Sequence, residues 1–277
     1  MFEEIPQNPT AMRKRIQFIY REIEQKIGNS RDGEQCKILD IGCGTGAFVT
    51  MPLGRLGVSV LGIDIHLPSI AWAIKQNPFP NVSFECTTIE DLADNQFDVI
   101  ICSEILEHLE NPEGMLHSVK GILKEDGIFI VTIPNGYGPK EMEKRFFRPL
   151  HWLFRVMHLL EPMRSLRRLI AVRVKPEKYG KEVERDYRWK DTLNTESPHV
   201  QFFTLGHFRK LLRQCGFTVL KVENRRFISG PITDAVMALS PRLCDWNVKV
   251  AGPLPHWLAS SWLFVTRPCN QTNPFTL

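Results

Sequence analysis

Residues 37–47 read KILDIGCGTGA, from Lys37 to Ala47, and join a short apolar run directly to a glycine-rich loop. Gly42, Gly44 and Gly46 let the backbone approach a ligand closely, because glycine lacks a Cβ and tolerates positive φ. A helix that follows such a loop presents unpaired N–H groups and the positive end of its dipole. The stretch therefore predicts a buried strand, a tight loop and a helix N-terminus that together bind an anionic group.

Apolar runs alternate with helical segments on both sides of this loop. The predicted strands are Lys37–Ile41, Val58–Ile63, Val82–Glu85, Phe97–Cys102, Ile128–Thr132, Phe217–Glu223 and Ser261–Thr266. The predicted helices are Ala47–Leu56, Pro68–Lys75, Pro112–Leu123 and Leu205–Cys215. Strands that alternate with helices imply crossover connections and a parallel sheet covered on both faces. We therefore predict an α/β, Rossmann-like, doubly wound sheet.

Charge and periodicity divide the chain into four parts. Residues 1–36 are predicted to form a helical lead-in, with isoleucines at helical spacing between 16 and 27, and residues 37–138 to form the half that carries the glycine loop and binds the ligand. Residues 139–198 form a basic helical insert or lid, and residues 199–277 complete the domain. Residues 140–178 hold eleven basic and four acidic residues, a net of +7, so the remainder of this +4 chain carries a net of −3.

Composition excludes several other classes of protein. With 277 residues, 43% of them hydrophobic, the chain is neither disordered nor a small disulfide-stapled module. Seven scattered cysteines without a C-x-x-C pair argue against a disulfide framework or a zinc ribbon. The N-terminus lacks the apolar region of a signal peptide, and the sequence has no apolar run long enough to span a membrane. We expect a cytoplasmic location.

Asp64 supplies the acidic partner of the glycine loop. It ends the second predicted strand, 22 residues after Gly42, where a carboxylate can accept hydrogen bonds from ribose hydroxyls. The order strand, loop, helix and acid predicts an adenosine-containing cofactor at the carboxyl edge of the sheet. Because GCGTGA also satisfies the dinucleotide fingerprint, an NAD-dependent oxidoreductase stays open at this point.

The stretch LDIGCGTG together with the acidic turn CSEILEHL, residues 102–109, resembles the class I S-adenosylmethionine-dependent methyltransferases. The resemblance covers residues 38–134 densely and 199–223 more loosely. The late strand is similar to the final antiparallel strand of that family, so the sheet is expected to be mostly parallel with one late antiparallel strand. The resemblance implies S-adenosylmethionine as cofactor, bound by Asp40, Gly42, Cys43, Gly44, Gly46, Asp64, Ile65, Thr88, Ile89 and Ser103.

Within that set, the resemblance assigns different parts of the cofactor to different residues. Asp40 and the glycines would hold the methionine portion, Asp64 the ribose, and Ile65 would pack on the adenine. Thr88 and Ile89 would flank the adenine edge, although the family commonly has an acidic residue where this chain has Thr88.

Glu104, Glu107 and His108 follow the fourth predicted strand at offsets i, i+3 and i+4. On a helical turn those offsets share one face, so two carboxylates and an imidazole would converge on one point. Such a group suits a Mg²⁺ or Mn²⁺ site or a general base. The pattern resembles the ubiquinone-biosynthesis O-methyltransferases and the small-RNA 3′-terminal 2′-O-methyltransferases, where these residues hold a divalent cation. Metal binding, acceptor-side catalysis without metal, and simple packing are all compatible with it.

His199 is a further catalytic candidate, because HVQF resembles the H-x-x-F stretch of those two groups. We expect O-methylation of an amphipathic small molecule or a lipid-linked acceptor, with RNA-terminal 2′-O-methylation as an alternative. Residues 140–178 interleave arginines with an apolar stripe, which fits either a helical lid over the acceptor pocket or a lid that also contacts a membrane surface. No RNA-binding module accompanies them, so we do not expect a nucleic-acid partner.

Overall fold

A computed structural model describes residues 10–28, 36–138, 199–229, 233, 237 and 240–269. The insert predicted at residues 139–198, including the basic stretch 140–178, lies outside the described residues. Among those that are described, no helix is long and apolar enough to cross a membrane.

The described elements alternate as the sequence pattern predicts. The strands are β1 Lys37–Ile41, β2 Ser59–Ile63, β3 Val82–Glu85, β4 Phe97–Ser103, β5 Leu123–Pro134, β6 Phe217–Arg226 and β7 Ser261–Pro268. The helices are α1 Thr10–Gly28, α2 Thr50–Leu53, α3 Leu67–Gln76, α4 Pro112–Ile122, α5 Leu205–Gln214 and α6 Pro241–Ala251. Short 3₁₀ turns follow α2 at Gly54–Leu56 and follow β4 at Leu106–His108.

These strands form one sheet in the order β3-β2-β1-β4-β5-β7-β6. The first five strands pair in parallel, and β7 is antiparallel to both β5 and β6. The predicted late antiparallel strand is therefore confirmed, lying between β5 and β6. The strand order reverses between β1 and β4, and ligands bind at such switch points, outside the carboxyl ends of the strands.

Two layers of apolar side chains cover the sheet. On one face Phe129 and Phe264 of the sheet pack with Phe208 of α5 and with α4, and on the other Val99 and Ile130 pack with Ile19 of α1 and with α3. Nearly continuous apolar runs in β1, β4 and β5 follow from burial on both faces.

The lead-in helix α1 is joined to the edge strand β6 by a charged network. Glu22 accepts hydrogen bonds from Arg21 and from Lys221 Nζ, and Arg21 also contacts Glu223 at 2.7 Å. Glu22 is 6% exposed, so these bonds satisfy a carboxylate that the helix buries against the sheet. The network holds α1 against β6, in the C-terminal part of the chain.

One local prediction was wrong, and one helix was not predicted. The helix predicted at Ala47–Leu56 is a single α-helical turn followed by a 3₁₀ turn, because Pro52 lacks an N–H and Gly54 weakens the helix interior. The sequence pattern assigned no element to α6, which begins at Pro241; a proline fits the first helical turn, where its missing N–H costs nothing.

Candidate functional site

The glycine loop leaves β1 in a left-handed conformation. Gly42, Gly44 and Gly46 have φ values of 66°, 57° and 68°. A Cβ on Gly42 would lie 2.3 Å from Ile105 Cδ1, and one on Gly46 would lie 2.3 Å from Phe84 Cε1. The loop is therefore restricted to glycine by conformation and by contact, and Ile105 packs the turn after β4 against it.

Asp64 closes this loop from the end of β2. Its two carboxylate oxygens accept the N–H groups of Gly44 and His66, each at 2.8 Å. A carboxylate oxygen has a second lone pair, so Asp64 can still accept a hydroxyl from a ligand. The neighbouring Ile65 side chain is 73% exposed, which leaves an apolar surface beside the carboxylate.

Asp40 lies beneath the loop and is 3% exposed. The Thr50 hydroxyl donates to its Oδ2 at 2.6 Å. Burial raises the pKa of Asp40 to about 7, against the opposing effects of the Thr50 hydrogen bond and the charge of Arg15, and Asp64 adds to the rise. Asp40 therefore changes charge near neutral pH inside the predicted cofactor site.

The predicted adenine edge contains an acid that the motif did not indicate. The Thr88 N–H and hydroxyl both donate to Asp91 Oδ2, at 3.2 and 3.0 Å. Hydrogen bonds from Thr87 and Thr88 lower the pKa of Asp91. Thr88 is exposed, whereas Ile89 is buried in the core at 2% exposure. An acidic group thus stands beside Thr88, where the resembled family has its own acid.

The turn after β4 begins with an unusual backbone conformation. Among the residues that the structure describes, Glu104 is the one non-glycine residue with positive φ, at 61°. Its N–H donates to the Thr132 carbonyl at 3.0 Å, and the Thr132 hydroxyl lies 3.2 Å from its Oε1 and 2.9 Å from Ser103 Oγ. Strained conformations of this kind concentrate at functional sites.

Glu104 does not share a face with the other two residues of the motif. The 3₁₀ turn starts at Leu106, after Glu104, so the helical register assumed for the motif does not apply. Glu104 Oε1 instead lies 3.4 Å from Arg225 Nη1, an arginine of β6. The predicted convergence of Glu104 with Glu107 and His108 on one helical turn is therefore wrong.

A different group gathers around Glu107. One ligand atom each from Glu107, His108 and His199 lie within 4.8 Å of one another. Glu107 is 1% exposed, its Oε1 lies 3.9 Å from His108 Nε2, and the two imidazole rings meet edge to face at 4.9 Å. One carboxylate and two imidazoles form a donor set that suits a transition-metal ion such as Mn²⁺ better than Mg²⁺.

Main-chain hydrogen bonds bring His199 to this turn. The N–H groups of Val200 and Gln201 both donate to the Glu107 carbonyl, at 2.9 and 3.0 Å. The Gln201 side chain also donates to the Glu110 carbonyl at 3.3 Å. The segment that precedes α5 is therefore attached to the turn that follows β4.

Sequence reasoning missed three polar residues at this edge. Thr132 and Arg225 contact Glu104, and Arg15 of α1 interacts electrostatically with Asp40, Glu104 and Arg225. Burial, followed by the charge of Arg225, lowers the pKa of Arg15 to about 10, so Arg15 stays charged at neutral pH. No local motif marks an arginine on a lead-in helix or on an edge strand.

Part of the chain is similar in sequence to curated O-methyltransferases. The chain is 35% identical to the ubiquinone biosynthesis O-methyltransferase of Glaesserella parasuis over 108 residues, which cover 36% of this chain and 45% of that protein. It is also 35% identical to the mitochondrial ubiquinone biosynthesis O-methyltransferase of Rattus norvegicus, over 44% of this chain and 38% of that protein. The chain thus matches less than half the length of these relatives.

A solved structure shows the same fold. PKMT2 from Rickettsia typhi, in complex with AdoHcy, is 17% identical and aligns over 86% of this chain and 49% of that chain, with a TM-score of 0.52. A family model described as a methyltransferase domain matches residues 6–222, which decides against the NAD-dependent alternative. The sheet order, the glycine loop and this match show that the chain belongs to the class I S-adenosylmethionine-dependent methyltransferases.

Proposed function

We propose that this chain transfers the methyl group of S-adenosylmethionine to a hydroxyl oxygen of an amphipathic small molecule. The observation that carries the proposal is the cluster of Glu107, His108 and His199. Glu107 and His108 lie on the turn after β4, which packs against the glycine loop through Ile105, and His199 joins them from the segment before α5. The names of the curated relatives, O-methyltransferases of ubiquinone biosynthesis, support oxygen as the acceptor atom.

The glycine loop and its two acids would hold the methyl donor. Asp64 would accept the ribose hydroxyls, Asp40 and the loop would bind the methionine portion, and exposed Ile65 would pack on the adenine. S-Adenosylmethionine supplies a methyl group on an already activated sulfonium, so positioning contributes much of the rate acceleration.

An acceptor hydroxyl must also lose its proton. A divalent cation held by Glu107, His108 and His199 would lower the pKa of that hydroxyl. The donor set fits such an ion, because these three side chains already lie within reach of one another and Glu107 comes from a buried position. Among the described residues, Asp40 and Glu104 do not belong to this group.

An apolar rim at the same sheet edge supports an amphipathic acceptor. The Tyr137 N–H and the Trp257 carbonyl are both bonded to the buried Asn135 side chain, and the Gly136 N–H donates to the Phe203 carbonyl. These bonds join three loops whose exposed side chains include Tyr137, Val200, Phe202 and Trp257, at 55%, 43%, 39% and 69%. In the sequence, residues 140–178 follow Tyr137 of this rim, and by their charge they are proposed to contact an anionic membrane surface.

The test offers the purified chain a model acceptor. Octyl gallate carries vicinal phenolic hydroxyls and an apolar tail, and gallate lacks the tail. With methyl-deuterated S-adenosylmethionine, we expect labelled O-methyl ether from octyl gallate at a rate at least tenfold above that from gallate, with activity removed by chelator and restored by Mn²⁺. Mass spectrometry identifies the methylated atom.

Histidine variants assign the product to the proposed site. His108→Ala and His199→Ala are expected to lower turnover by roughly 10²-fold or more. His117→Ala removes an exposed histidine of α4 and serves as the matched control, with unchanged turnover expected. Turnover that survives both site substitutions, or label found on nitrogen or carbon alone, would contradict the proposal.

A further inference from the structure

Arg225 lies at an irregularity in the edge strand. The register between β6 and β7 shifts between Asn224 and Arg226, so Arg225 is the additional residue of a β-bulge. Bulges of this kind redirect a side chain and are over-represented beside active sites. Arg225 is only 8% exposed, although it belongs to the outermost strand of the sheet.

The redirected side chain reaches across β7 and β5 to the end of β4. Its Nη1 lies 3.4 Å from Glu104 Oε1, the same oxygen that lies 3.2 Å from the Thr132 hydroxyl. Glu104 therefore has a cation and a hydroxyl on one carboxylate oxygen, and its backbone adopts the left-handed conformation. Neither contact involves Glu107, His108 or His199.

We infer that Arg225 determines which carboxylates face the cation cluster. By pairing with Glu104, it leaves one carboxylate and two imidazoles, in place of the two-carboxylate set that the E-x-x-E-H spacing predicts. Removing Arg225 takes away the ion pair that directs the Glu104 side chain toward β6 and so allows it to turn toward the cluster that begins three residues later. The inference rests on the proposed function in one respect, namely that this cluster binds a divalent cation.

The consequence is a preference among metals. Mg²⁺ is a hard ion that favours carboxylate oxygens, whereas imidazole favours transition metals. A site with one carboxylate and two imidazoles therefore binds Mn²⁺ more tightly than Mg²⁺. Adding a second carboxylate raises the affinity for Mg²⁺ more than the affinity for Mn²⁺. Arg225 is therefore a positioning residue: by fixing the Glu104 carboxylate away from the cluster, it determines which metal ion the cluster binds more tightly.

A double-mutant cycle on the full chain tests this role. Isothermal titration with Mn²⁺ and with Mg²⁺, without any acceptor, compares the unmodified protein, Arg225→Met, Glu104→Gln and the double variant. We expect Arg225→Met to bind Mg²⁺ about tenfold more tightly, Glu104→Gln to change affinity less than twofold, and the double variant to lose the gain. Arg267→Met removes an exposed arginine of β7 and is the matched control.

Two further variants keep the outcomes distinct. Arg225→Lys retains the charge beside Glu104, so it is expected to keep the unmodified metal preference even where Arg225→Met folds poorly. Mg²⁺ affinity unchanged or reduced in a folded Arg225→Met variant, or a tenfold loss of Mn²⁺ affinity in Glu104→Gln, would overturn the role of Arg225. Mn²⁺ affinity unaffected by His199→Ala would instead remove the cation cluster from the proposed function.

Discussion

The raised pKa of the buried Asp40 carboxyl group predicts how the free energy of unfolding depends on pH. Asp40 is 3% exposed, accepts a hydrogen bond from Thr50, and faces the charges of Arg15 and Asp64. Burial raises its pKa from 3.8 to about 7. Asp40→Asn replaces the carboxylate with a neutral group of the same size that can still accept the Thr50 hydrogen bond.

The sign and size of the effect follow from proton linkage. Between about pH 4 and pH 7 the folded state binds a proton at Asp40 that the unfolded state has released, so the free energy of unfolding falls as the pH rises. With 1.36 kcal/mol per unit of pKa difference, the variant is expected to be more stable than the unmodified protein by about 2 kcal/mol at pH 5 and about 4 kcal/mol at pH 8.

Urea unfolding without cofactor, at pH 5, 6, 7 and 8, measures this difference directly. Groups that do not interact with Asp40 titrate equally in both proteins, so their contributions cancel in the comparison. Asp245→Asn, which removes an exposed carboxylate from α6, controls for the loss of one negative charge. A difference between Asp40→Asn and the unmodified protein that stays constant from pH 5 to pH 8 would refute the reasoning.

Three further predictions concern the cofactor site and its support. If the cofactor's ammonium requires ionised Asp40, the affinity for S-adenosylhomocysteine measured by titration calorimetry rises about tenfold from pH 6 to pH 8. Gly46→Ala places a Cβ 2.3 Å from the Phe84 ring and is expected to lower both the melting temperature and that affinity, whereas Gly57→Ala, with similar φ and open space, lowers only the melting temperature. Asn135→Ala removes hydrogen bonds to two carbonyls and one N–H, and we expect urea unfolding to show a loss of about 2–4 kcal/mol.

The strands could be predicted because the apolar residues of each strand, taken by themselves, indicate that the strand is buried. The runs at β1, β4 and β5 are apolar on both faces, and the predicted and observed bounds agree to within a few residues. The early start of β5 was not predictable, because Leu123 belongs to the strand through a shifted pairing with Phe97. Such irregular pairings depend on the partner strand and leave little trace in the residues themselves.

The cofactor half of the site was predictable for a similar reason. The three glycines and Asp64 belong to one continuous strand–loop–helix–strand unit. The hydrogen bond from the Gly44 N–H to the Asp64 carboxylate, at 2.8 Å, forms within that unit. The E-x-x-E-H motif was less informative, because its spacing suggests a helix while the left-handed φ of Glu104 interrupts it. Spacing alone does not specify the dihedral angles of the first residue.

The remaining site residues follow from charge balance across the sheet. Asp40, Asp64, Glu104 and Glu107 all belong to the carboxyl edge around β1, β2 and β4, and cations beside such a cluster of buried or half-buried acids lower the cost of burying their charges. Since β1–β4 supply no such cation at this edge among the described contacts, arginines must arrive from elements that pack over it. Arg15 comes from α1, which covers one face, and Arg225 comes from the edge strand through a bulge. An acidic sheet edge with no local basic partner is therefore a reason to examine the arginines of distant covering elements, where sequence separation hides the contact.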